Sequence, residues 1–403
     1  MQIEFPSSFL WGAAISGYQC EGGNYNCDWN FWEKNMGLEQ AGDACGHYRL
    51  FEEDFQLAHQ LNLNSLRFSI EWARICSDAG IFSQEELSHY KKVVDSLVGF
   101  GLKPIATLHH FTNPNWFSQK QGWANSSNVD DFLAYLRKTV ETLRDKVDIW
   151  LIFNEPFVYI YNSFIQGIWP PGEKSLRIAK KVLSNIISAY ITGYQEIKRI
   201  YKQSNILPKV SLAKNIRVFT GCPDTNFILN SLSACIRNKS FNFWILDYFN
   251  KKKSLDFIAL NYYCREYTKF KGFLGAECPH NSHKERQNYL GWNVYPKGLY
   301  DVLLKLKKFN LPVIITENGT PEKEDYFYEN FLISHLKSMA KAVSQGVNVA
   351  GYLWWSLLDN FEWDKGFKPR FGLVEVDYKN LRRKIKPFAR AYAKICKENK
   401  VDI

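Results

Sequence analysis

Two glutamates stand alone at the ends of apolar runs. Glu155 follows Ile152-Phe153-Asn154 and precedes Pro156; Glu317 follows Ile315-Thr316 and precedes Asn318-Gly319. A single carboxylate in such a place is as readily a surface loop acid as anything else. Two of them on opposite sides of one opening are the minimal equipment for cleaving a glycosidic bond. One must carry a proton near neutral pH and pass it to the leaving oxygen. The other must be ionised, to attack the anomeric carbon or to direct water at it. Different surroundings must therefore hold the two pKa values apart.

The elements that could bring positions 155 and 317 together alternate along the whole chain. Short apolar runs at 9–14, 63–70, 102–109, 148–154, 209–213, 255–262, 311–316 and 348–355 read as strands. Most are apolar on consecutive residues, the pattern of strands buried on both faces, as in parallel sheets. The stretches between them read as helices. Ser83-Gln84-Glu85-Glu86 has the capping-box form, with Leu87, Tyr90, Val94 and Leu97 on one face and Gly101 at the stop. Phe132, Leu136, Val140 and Leu143 repeat the spacing, and Pro296 is suited to a first helical position. Eight strands each followed by helix predict a single (β/α)8 TIM barrel over residues 1–403, with no Pro/Gly/Ser-rich linker to divide it. An open doubly wound sheet would show the same alternation. The barrel places reactive residues at the C-terminal ends of its strands, and polar residues do cluster there. They are Gln19 and Glu21, Arg67, His110, Asn154 and Glu155, Asn261 and Tyr263, Glu317, and Glu362.

Composition removes several other classes. The 403 residues are 46% hydrophobic and 23% charged, ordinary for a globular chain and wrong for disorder or collagen. Aromatics reach 16%, which suits a bulky core, a cleft lined with flat faces, or both. The net charge is +10, but the densest basic runs, Lys251–Lys253 and Arg382–Lys384, are three residues long, so no nucleic-acid surface is expected. The nine cysteines include no C-x-x-C pair, which predicts reduced thiols and a cytoplasmic setting. The start Met1-Gln2-Ile3-Glu4-Phe5-Pro6 lacks the form of a signal peptide, and no apolar window is long enough to span a membrane. No metal-ligand cluster and no phosphate-binding glycine loop is found, so no metal or cofactor is expected.

The ordered motifs resemble glycoside hydrolase family 1, the β-glucosidase and β-galactosidase family, over nearly the whole chain. The motifs run from Phe9–Gly22 through His47-Tyr48-Arg49, Leu66–Trp72 and Thr107–Phe111. They continue through Asn154-Glu155-Pro156 and Thr316–Gly319 to Trp355–Trp363 and Arg370-Phe371-Gly372. The resemblance implies a retaining β-glycosidase acting on a small β-glycoside or oligosaccharide. Glu155 would be its general acid/base and Glu317 its nucleophile, with carboxyls roughly 5–5.5 Å apart. Arg67 and Tyr263 would hydrogen-bond Glu317, the guanidinium keeping it ionised and the phenol orienting it. Gln19, His110, Asn154, Asn261 and Glu362 would bind sugar hydroxyls. Trp355, Trp363 and Phe371 would complete the sugar site, Trp355 with a flat face and Trp363 with an indole N–H.

Within the family, hydrolysis of unphosphorylated β-glucosides fits best, with β-galactosides or β-fucosides as further substrates. Relatives acting on 6-phosphosugars replace the acid at Glu362 with Ser and hold phosphate with Lys and Tyr. Here Glu362 is present, Phe371 stands where Tyr would help, and Lys368 alone is nearby. Thioglucosidases carry Gln where Glu155 stands. A 6-phospho-β-glucosidase and a non-catalytic carbohydrate-binding protein on the same fold are the alternatives. Departures from the family concern the rim. The span from Ala213 to Leu255 is short, Tyr328 replaces a common Arg, Phe111 a common Trp, and Cys264 a common Thr. A more open mouth is expected, with the innermost sugar site kept.

Overall fold

The computed structural model describes residues 2–202, 204–223, 226–271, 276–278 and 285–403. Strands apolar on both faces need cover on both, and a closed barrel inside a ring of helices supplies it. The eight strands are β1 (Leu10–Ala14), β2 (Ser65–Ser69), β3 (Lys103–His109), β4 (Ile149–Asn154), β5 (Lys209–Asn215), β6 (Ile258–Asn261), β7 (Val313–Asn318) and β8 (Val349–Trp355). All neighbours are parallel and the ring is complete: β8 pairs with β1 through Gly351–Leu10 and β5 with β6 through Ala213–Ala259. That closure rules out the open sheet. Leu151, Ala259, Ile314 and Leu353 belong to the cluster filling the barrel, while the larger apolar cluster packs strands against helices.

The surrounding helices include α1 (His47–Gln60), α2 (Gln84–Gly99), α3 (Val129–Leu143), α4 (Leu176–Tyr201), α5 (Trp244–Lys251), α6 (Pro296–Leu306), α7 (Asp325–Ser344) and α8 (Pro387–Glu398). The start of α2 is half of a capping box. Ser83 Oγ accepts from the Glu86 N–H at 3.2 Å, but the Glu86 carboxylate takes the Tyr48 hydroxyl at 3.0 Å instead of turning back. Pro296 does open α6, where its missing N–H costs nothing.

The segments that follow β5 and β6 together build an appendage on the mouth of the barrel. Val218–Gly221, Arg265–Lys269 and Ala276–Glu277 form a three-stranded sheet, and the helix Phe227–Arg237 packs on it. The expectation of nine reduced thiols fails here. Cys222 and Cys278, 56 residues apart in sequence, form a disulfide with their Cα atoms 6.2 Å apart. Fold proximity made the pair, and no local spacing marks it. Seven cysteines are free, and all but Cys235 are buried. Among the described residues no helix is long and apolar enough to cross a membrane.

Candidate active site

Glu317 is fixed from three strands. Its Oε1 accepts from Arg67 Nη1 on β2, and its Oε2 from the Tyr263 hydroxyl, just beyond β6, at 2.5 Å. Arg67 is fully buried and divides its donors: Nε to Thr107 on β3 at 3.0 Å and Nη2 to Asn154 on β4 at 2.7 Å. A guanidinium that spans four strands holds the carboxylate in one place. Gly319 lets the chain leave β7, since a Cβ there would come within 2.0 Å of the Trp355 carbonyl oxygen.

Arg67 pulls the Glu317 carboxyl down, the direction expected of it, but burial opposes that pull. Burial pushes the Glu317 carboxyl up to about 7; the pull of Arg67 is outweighed, and the nearby Glu155 charge adds to the rise. Glu362 is pushed up to about 8 by burial first, then by the charges of Glu317 and Asp364. Glu317 and Glu362, both raised in the same opening, cannot both be ionised at little cost.

Glu155 turns out of β4 with φ 42° and ψ 55°, a left-handed backbone that a side chain adopts only where the surroundings enforce it. Its N–H donates to the Ala213 carbonyl at 2.8 Å. Its Oε1 accepts from Asn261 at 2.7 Å and from Asn215 at 3.1 Å. Asn261, expected among the sugar ligands, uses both ends of its amide on protein: it also accepts from Thr316 Oγ1 at 2.7 Å. Asn154 links the two glutamates, because its Oδ1 accepts from both Arg67 and, at 3.2 Å, Asn261. That fixes its amide orientation, so Nδ2 must donate to His110 Nε2 at 3.1 Å. His110 therefore carries its proton on Nδ1, a buried N–H with no acceptor among the described residues. Burial and Arg67 hold this imidazole neutral.

The remaining expected residues gather at the same end. Gln19 accepts from Ser16 at 2.7 Å and donates to the Phe361 carbonyl at 2.8 Å and to Glu362 at 3.2 Å. Trp355 and Phe371 pack with Tyr263 and Trp292 in one aromatic cluster, and Trp363 stacks near His110 at 6.1 Å. All twelve predicted residues except Arg67 and Asn261 line one cleft of about 390 Å³; those two stand behind it, bonded to Glu317 and Glu155. Phe111 and Cys264 are in its wall, whereas Tyr328 lies outside, donating to the carbonyls of Glu322 and Arg370. Lys368 is also outside the cleft.

Sequence reasoning missed Asn215, Trp169 and Trp292, and the charged residues Arg217, Arg237 and Glu266 at the other end of the cleft. Asn215 ends β5 two residues beyond the predicted stop, a position that could have been read by the same strand-end rule.

With this geometry in place, comparison with known proteins adds its own findings. The sequence profile of glycosyl hydrolase family 1 matches residues 1–251 and 230–401. The chain is similar to β-glucosidase A of Acetivibrio thermocellus, 31% identical over 99% of each chain. A solved β-glycosidase from Pyrococcus horikoshii superimposes with a TM-score of 0.92 at 33% identity, covering 100% of this chain and 97% of that one. A family 1 β-glucosidase from Thermotoga maritima in complex with isofagomine lactam gives 0.90 at 28% identity, covering 98% and 99%.

Proposed function

The chain belongs to glycosyl hydrolase family 1 and is a retaining β-glycosidase, and from that premise we propose that it hydrolyses β-D-glucosides from the nonreducing end, with Glu317 as nucleophile and Glu155 as acid/base. One observation carries this assignment. Glu317 is gripped by a cation and a phenol, while Glu155 is gripped by two neutral amides, across one cleft. In the first step Glu155 gives its proton to the glycosidic oxygen as Glu317 attacks the anomeric carbon. A glycosyl ester forms on Glu317 and the aglycone leaves as an alcohol. In the second step Glu155, now a carboxylate, takes a proton from water, and that water displaces Glu317 with the configuration restored. Arg67 and Tyr263 position the nucleophile, and Asn215 and Asn261 position the acid. Gln19, His110, Asn154 and Glu362 receive the sugar hydroxyls over the Trp355 ring, with Trp363 at the edge. β-Galactosides and β-fucosides fit the same site less selectively. A carboxylate at Glu362 disfavours a 6-phosphate.

The test is a panel of aryl glycosides sharing one chromophore: glucose, galactose, fucose, mannose and 6-phosphoglucose. Release from the glucoside with the β-anomer of glucose appearing first by NMR is expected. A faster rate on the 6-phosphoglucoside would overturn the substrate assignment, and an α-anomer the two-step mechanism.

A further inference from the structure

The leaving-group end of the cleft carries a feature that the hydrolysis itself does not use. Glu266, on the appended sheet and only 5% exposed, bridges two guanidiniums: Arg217 Nη1 lies 3.1 Å from Oε2 and Arg237 Nη1 2.5 Å from Oε1. Both carboxylate oxygens are already engaged by these two cations. Neither Nη2 group donates to a described residue. Glu277 stands at the exposed rim of the same wall. Arg217 is braced further, its Nε donating to Asn215 Oδ1 at 3.3 Å. Asn215 in turn holds Glu155, so the cation pair is one residue removed from the acid that protonates the leaving oxygen. Beside the guanidiniums lie two aromatic rings. Arg237 sits over the Phe219 ring at 4.6 Å, and Phe219 meets Phe241 edge-on at 5.7 Å. All of these residues line the cleft.

We propose that this wall selects the aglycone, and that the aglycone it fits is an aryl carboxylate joined to the sugar through a phenolic oxygen. The flat ring packs against the parts of Phe219 and Phe241 that line the cleft, while its carboxylate faces the edges of Arg217 and Arg237 that no described residue engages. A guanidinium fork matches a carboxylate bidentately, whereas a second sugar offers only neutral hydroxyls. The inference rests on the reading of the cleft as a β-glucosidase site.

The experiment compares 4-carboxyphenyl and 4-carbamoylphenyl β-D-glucosides, taking the ratio of their kcat/KM values in each protein so that leaving-group reactivity cancels. Arg237→Gln should lower that ratio about tenfold, the scale of one hydrogen bond to a charged group, and Arg237→Lys should restore much of it. Calorimetric titration with the free phenols reads the same preference without turnover. 4-Hydroxybenzoate should bind wild-type protein about tenfold tighter than 4-hydroxybenzamide, with the gap closing between about 0.05 and 0.5 M NaCl. Equal binding of the two phenols by wild-type protein, or a ratio unmoved by Arg237→Gln, overturns the proposal. So does cellobiose outpacing both aryl glucosides. A phenol preference without release from either glucoside supports the wall and defeats the catalytic reading instead.

Discussion

The two ends of the cleft are built to different plans. At the sugar end the two glutamates and the groups that hold them are fastened to the barrel strands or their ends. Arg67 ties β2, β3, β4 and β7 together, and Asn261 on β6 holds Glu155 beside β5. At the leaving-group end the groups sit on a sheet and helix outside the barrel, cross-linked by Cys222–Cys278. A closed barrel is hard to deform because each strand has two partners, so groups on its rim are held for chemistry. An appended layer can change without disturbing those strands, which suits selectivity. The contrast assigns different symptoms to damage at each end: loss of rate at the first, change of preference at the second.

The largest effect expected at the sugar end comes from Glu317→Ala. Turnover of a chromogenic β-glucoside should fall roughly 10⁵-fold, the scale seen when a covalent nucleophile is removed. Azide or formate, entering the space left by the carboxylate, should restore part of it and give product of inverted configuration. Rescue with retained configuration would move the nucleophile elsewhere. Next is Glu155→Gln, which keeps the shape of the site and removes the proton donor. Glucosides of poor leaving groups should slow by about 10²- to 10⁴-fold, and those of activated phenols far less. Equal slowing of both series would take Glu155 out of the acid role and weaken the contrast between the ends.

A smaller effect concerns pH. As the proposed nucleophile, Glu317 must be ionised to attack, and burial raises its carboxyl to about 7. As pH falls through that value the fraction ionised falls, so kcat/KM should decline on the acid side with a midpoint near 7. Arg67 lowers the Glu317 pKa, hence Arg67→Met should move that midpoint upward, while Arg237→Gln should leave it in place. A midpoint that moves equally in both variants would mean that the two ends share one electrostatic field.

How far the sequence revealed each end follows the same division. The eight barrel strands are legible because burial on both faces leaves runs such as Ile149–Asn154 without polar interruption, and the predicted run at 148–154 misses by one residue. Catalytic positions are legible because strand ends in a barrel converge wherever the loops lead. Nothing in the chain spacing announces that Glu266 will meet Arg217, 49 residues away, and also Arg237. Those contacts depend on how the appended sheet pairs, Arg265 beside Val218 and Thr268 beside Gly221, a register set by tertiary packing. Cys222 and Cys278 were unreadable for the same reason. The presence of Arg67 beside Glu317 can be read from motifs, but the depth of burial that opposes its pull cannot.

Reducing the disulfide should have the smallest effect and tests the separation of the two ends most directly. Cys222 follows the strand Val218–Gly221 and Cys278 follows Ala276–Glu277, so the bond joins the two outer strands of the appended sheet. Its loss should raise amide exchange in Val218–Gly221 and Arg265–Lys269 without touching β2, β4 or β7, because local opening draws on few contacts with the barrel. Turnover of a neutral aryl glucoside should change less than about twofold, as the sugar end keeps every one of its cross-strand bonds. Exchange rising in the barrel strands to the same extent would show the cleft to be one cooperative unit. The wall that meets the aglycone would then be part of the catalytic framework, and substitutions at Arg237 should slow neutral and carboxylated glucosides alike.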